Sequence, residues 1–144
     1  MQICPPRPPQ LALAPLLPSL RSDLAEAAEA LTKRRALFES VIAEVDGWRV
    51  LSSGGFYAYV QFPDAYGDIG SEEVGNKLAT QCGVLTLPGC FFMPPLDSPE
   101  WASIKGAEVI HADRWIRFAV ANVSDETVAK VGERLRALNK IMGM

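Results

Sequence analysis

The chain has 144 residues, enough for one domain with a sizeable core. Hydrophobic residues make up 49% and charged residues 22%, the balance of a globular protein rather than a disordered one. Fourteen basic against seventeen acidic residues leave a net charge of −3, which argues against a nucleic-acid binder, and no apolar run reaches the ~18–20 residues of a membrane-spanning helix.

Six of the eleven prolines fall within residues 1–18, and residues 1–22 hold two arginines and no acid. Leu11 to Ala14 looks like the start of a secretory apolar region, but Pro15 and Pro18 interrupt it and no small-residue cleavage site follows Leu20. Proline fixes φ and turns its preceding residue away from helix, so residues 1–22 are expected to form an extended or kinked connector. Asp23, with Glu26 three residues on, can open a helix as a capping box. Leu24, Ala28, Leu31, Phe38, Ile42 and Val45 then recur at helical spacing up to Gly47, leaving Lys33, Arg34 and Glu39 as a solvated face.

Trp48 to Leu51 and Phe56 to Phe62 read as hairpin strands around a turn at Ser52 to Gly55. Along the second strand Phe56, Ala58, Val60 and Phe62 point one way, and Tyr57, Tyr59 and Gln61 the other. Ser71 is expected to cap a helix with Glu72 and Glu73 in its first turn, Val74, Leu78 and Cys82 on its inner stripe and Gly83 at its end. Val84 to Leu87 reads as an apolar strand closed by Pro88 and Gly89. Cys90 to Arg114 shows no periodicity, and so long a loop in a compact domain usually has a use. Trp115 to Val120 is a strand with Ile116, Phe118 and Val120 on one face and Trp115, Arg117 and Ala119 on the other. Ser124 caps a last helix carrying Val128, Val131, Leu135, Leu138 and Met142 on one stripe. The order predicts an α+β fold, a small, mostly antiparallel sheet covered by helices, in a domain of residues 23–144.

Few side chains offer chemistry. Cys4, Cys82 and Cys90 are odd in number and contain no CxxC pair, which disfavours a disulfide framework or thiolate zinc and suggests a reducing, cytoplasmic compartment. His111 is the single histidine, so a His-rich metal centre is excluded, and a Cys90–His111 dyad is much less expected than ordinary loop residues. No GxSxG, HExxH, GxxxxGK[ST] or GxGxxG motif occurs. Arg117, at the centre of a strand between Ile116 and Phe118, is costly to bury without a partner. Either it pairs with an acid of its own chain, or its guanidinium fork is aimed at the carboxylate of a ligand.

Three runs occur in a familiar order: Gly54 to Val60, Cys82 to Gly89 followed by Phe92, and Trp115 to Asn122. With them the chain resembles the C-terminal small domain of the class I/II pyridoxal-phosphate-dependent aminotransferases of fold type I, and Ile3 to Arg7 with Gln10 resemble the segment where those chains leave the large domain. The resemblance implies that Arg117 grips a substrate α-carboxylate, that Gly55, Phe56 and Tyr57 lie near the substrate end of the pocket, and that Pro88, Gly89 and Phe92 belong to the loop at its mouth. It implies amino transfer between an amino acid and a 2-oxo acid, with pyridoxal 5′-phosphate as cofactor. The family's Schiff-base lysine context, a serine-rich stretch ending in Pro-Gly-x-Arg, is not found around Lys33, Lys77, Lys105, Lys130 or Lys140. Only Lys105, before Gly106, merits a test, so the chain by itself is expected neither to bind the cofactor nor to catalyse. An aminotransferase large domain or an intact homologue is then the expected partner. The alternatives are a non-catalytic interaction module, which should expose an apolar patch, and a small-carboxylate binder in a metabolic pathway.

Overall fold

The computed structural model describes residues 6–95, 97–103, 113–121 and 124–144. Its first described elements are helical where an extended connector is expected. Helix α1 spans Arg7–Leu13, and a 3₁₀ turn spans Leu17–Leu20. The prolines accommodate this because Pro8, Pro9 and Pro18 fall in first turns, where a missing N–H leaves no intrahelical bond unmade. Helix α2 follows at Arg21–Ala43, with Leu20 rather than Asp23 at its N-cap and Asp23 inside the first turn.

The stripe expected along α2 is buried only in its second half. Leu24 is 59% exposed, Ala28 is exposed and Leu31 half-buried, whereas Phe38 and Ile42 are closed off from solvent. Spacing makes a helix amphipathic, but what it packs against decides how much of the stripe is covered. Arg34 is not a purely solvated residue either. Its Nε donates to Asp125 Oδ1 at 2.7 Å and its Nη1 to Ala121 O at 3.0 Å, which ties α2 to the C-terminal helices.

Strands β1 (Arg49–Gly54), β2 (Tyr57–Gln61), β3 (Leu87–Pro88) and β4 (Trp115–Ala119) form an antiparallel sheet in the order β1-β2-β4-β3. The α+β class expected from the sequence is therefore the one observed. Strand β1 runs to Gly54, three residues into the expected turn, because Gly55 takes φ +51° and lets a two-residue connection through Gly55 and Phe56 close the hairpin. Phe56 thereby leaves the core face and is 54% exposed. The Val84 to Leu87 strand shrinks to Leu87 and Pro88, and Leu85 is 88% exposed.

Helix α3 spans Ser71–Cys82, ending at Gly83 with φ +66°. Helices α4 (Asp125–Ala129) and α5 (Val131–Ile141) follow, with Ser124 Oγ accepting from the Thr127 N–H at 3.2 Å as expected of a cap. Together α2, α3, α4 and α5 cover one face of the sheet, over a core that includes Phe38, Ile42, Val60, Phe62, Leu78, Ile116, Leu135 and Leu138. The register places Ala58 opposite Phe118 and Val60 opposite Ile116 on that face, and Tyr59 opposite Arg117 and Gln61 opposite Trp115 on the other.

The core contains one polar knot. Asn139 Oδ1 accepts from Trp48 Nε1 at 2.9 Å and from the Tyr66 hydroxyl at 2.7 Å, while its Nδ2 donates to Asp46 O at 3.0 Å. Burial pushes the Tyr66 phenol well above its ordinary range, and likewise raises the Cys82 thiol, so both stay protonated.

Candidate carboxylate site

Among the described residues α2, α3, α4 and α5 pack on the opposite face of the sheet from Arg117, which lies at the middle of β4. Antiparallel pairing sets Tyr59 of β2 and Leu87 of β3 directly opposite it on either side. Its guanidinium carbon lies 4.2 Å from the ring centre of Tyr57, a diagonal neighbour on β2. It lies the same 4.2 Å from Phe92, at the end of the 3₁₀ turn Gly89–Phe92. Each ring contact is worth about 0.5–1 kcal/mol at a half-exposed position and holds the planar group without using its N–H donors. Among the described residues no acid pairs with Arg117 and no acceptor takes its hydrogens. The own-chain salt bridge that sequence left open is thus not formed among them.

Phe92 reaches this position because the turn beneath it lies on Trp115. The Phe92 and Trp115 rings stack at 6.3 Å and 30°, and Tyr59 meets Trp115 edge-on at 5.0 Å. Gly89 makes the approach possible. A Cβ there would stand 2.5 Å from the Trp115 carbonyl oxygen and 2.7 Å from its ring, closer than any side chain tolerates. The Cys90 N–H then donates to Ser71 Oγ at 3.1 Å, anchoring the turn to the start of α3. Ser71 serves here as the acceptor that fixes this loop, while Gly70 occupies the N-cap position.

The residues singled out from sequence are brought together unequally. Arg117, Tyr57 and Phe92 form one cluster, with Gly89 supporting it from below. Phe56 sits in the hairpin turn, where its ring meets the edge of Tyr57 at 6.3 Å, and Gly55 beside it has open space where a Cβ would stand. Tyr59, Leu87 and Trp115 were not singled out, although strand alternation already put Trp115 on the face of Arg117; Tyr59 joins them through the register. Cys4, Lys105 and His111 lie outside the described residues, and so does the Cys90–His111 pairing.

The described lysines do not suit pyridoxal phosphate. Lys33 pairs with Glu29 at 2.7 Å on α2, Lys77 with Glu73 at 3.6 Å on α3, and Lys130 with Glu126 at 2.8 Å beyond α4. Lys140 is exposed on α5, so none of these amines stands beside Arg117. Among the described residues no group of three or more His, Cys, Asp or Glu side chains is placed to hold a metal ion, and no helix is long and apolar enough to cross a membrane.

The family described as aminotransferase class I and II matches residues 8–135, most of the chain. A search of curated proteins finds no match.

Proposed function

The chain belongs to the class I and II aminotransferase family, and from that premise we propose that it supplies the carboxylate-gripping part of an amino-transfer site, in the manner of the family's C-terminal small domain. The observation that carries the reading is Arg117. Its charge is held between two rings, its donors are free of any described acceptor, and it lies on the sheet face opposite the described helices. A guanidinium in that state offers two parallel N–H groups to a carboxylate, which fixes the ligand's orientation as well as its charge. The ligand is the carboxylate of an amino acid or of the corresponding 2-oxo acid.

When bound to such enzymes, pyridoxal phosphate supplies the electron sink that amino transfer needs. Since the described lysines do not suit it, the cofactor and its lysine are assigned to a partner surface, an aminotransferase large domain or an intact homologue, in the cytoplasm. On this reading the isolated chain binds carboxylates but does not transfer amino groups. A second reading, a non-catalytic interaction module, is favoured by a separate observation. Leu11, Leu13, Leu16 and Leu17 are 47–65% exposed and Leu24 is 59% exposed, an apolar surface of the kind that partners cover.

The test is titration of the full chain with pyruvate, followed by calorimetry and by amide NMR. Arg117→Ala should weaken binding about tenfold or more, the loss of one charge-assisted bidentate contact, with the melting curve nearly unchanged. Equal pyruvate affinity in the variant and the parent chain would refute the assignment.

A further inference from the structure

The surroundings of Arg117 narrow the ligand further, given the carboxylate reading above. Its described neighbours on that face are rings and an aliphatic chain. Tyr57 and Phe92 hold the guanidinium, Tyr59 and Leu87 stand opposite it in the adjacent strands, and Trp115 supports Phe92. Tyr57 is 38% exposed, Leu87 39% and Phe92 43%, so a ligand held by Arg117 has apolar surface within reach to cover. The nearest strand cation on the same face, Arg49, is two strands away on β1, and its Nη2 already donates to Gln61 Oε1 at 2.5 Å.

We infer that this site selects monocarboxylates with an apolar or aromatic body and discriminates against dicarboxylates. One guanidinium satisfies one carboxylate. The second carboxylate of a short diacid would be pressed against ring edges, partly stripped of water and with no cation among the described residues beside Arg117 to meet it, which is costly. A phenyl or branched aliphatic body in the same place instead removes its own apolar surface and that of Tyr57, Leu87 and Phe92 from water. Selectivity therefore arises from both an attraction and a penalty.

The experiment titrates the full chain with propanoate, 3-phenylpropanoate and succinate, read by amide NMR shifts. 3-Phenylpropanoate should bind about tenfold more tightly than succinate, the effect of partial ring burial, with propanoate between them. Phe92→Ala should shrink the phenylpropanoate advantage while propanoate binding persists. Tyr57→Leu, which keeps an apolar side chain at an exposed strand position, should do so less. Succinate binding as tightly as 3-phenylpropanoate, or the advantage surviving both substitutions, overturns the selectivity and leaves Arg117 as a carboxylate grip. Failure of all three to bind, or binding unaltered by Arg117→Ala, overturns the grip as well.

Discussion

Arg114 and Arg117 lie three residues apart around the start of β4, and both rest on aromatic rings, yet their hydrogens go to different places. Arg114 sits over Phe62 at 4.4 Å and donates to the backbone carbonyls of Pro63, Gly67 and Ile69, with Asp64 Oδ1 3.9 Å from its Nε. Behind Phe62 the stack continues through Tyr66, parallel at 6.1 Å, to Asn139 and Trp48. Arg117 has rings around it and no described acceptor. The first arginine is consumed in holding a loop onto the core, and the second is oriented with its donors free of the described residues. Cation–π contact is common to both, so the fate of the N–H groups is what separates a structural arginine from a binding one.

Breaking the Arg114 side should cost most. Arg114→Ala leaves carbonyls of a half-buried loop without donors and is expected to destabilise by about 2–4 kcal/mol, read from denaturant unfolding. A change below about 0.5 kcal/mol, the level of an ordinary surface substitution, would mean the loop does not depend on it. Asn139→Ala, farther along the same stack, orphans the Trp48 and Tyr66 donors and should cost about 2–3 kcal/mol.

The same side should respond to alkali. Burial raises the Cys82 thiol above its ordinary 9.0 and the Tyr66 phenol above its ordinary 10.0. Their contribution is fully present below those ordinary values. As pH climbs past about 9 the unfolded chain loses these protons first, so stability declines. A melting temperature that stays level well into the alkaline range would contradict the burial of both groups. Arg117→Ala should be the mildest of these changes, within about 1 kcal/mol, since it removes two exposed-type ring contacts together with a charge that has no described partner.

Much of this contrast was legible in the sequence. Period-two alternation set Arg117 with Trp115, and Tyr57 with Tyr59, on one side of each strand, and the register then joined the two sets; the caps at Gly83 and Ser124 emerged where their residue types suggested. The resemblance named Phe92, but its ring contact with Arg117 depends on how closely the turn at Gly89 lies on Trp115, a tertiary fact. Nothing local distinguished Arg114, whose partners are carbonyls 45–51 residues earlier in the chain. The helix in the proline-rich start was missed because first-turn prolines suit helices that interior prolines break. Exposure of Leu24 was missed because helical spacing says which residues share a face, and not whether anything covers it.

The most direct measurement is the Arg117 Nε–H resonance, assigned by its loss in Arg117→Ala and followed during a pyruvate titration. The free-state proton should be shifted upfield by the two rings and should move saturably as pyruvate is added, while the Arg114 resonance stays still. An Arg117 resonance at the position of a solvated arginine, unmoved by pyruvate, would contradict both the ring-held geometry and the carboxylate grip.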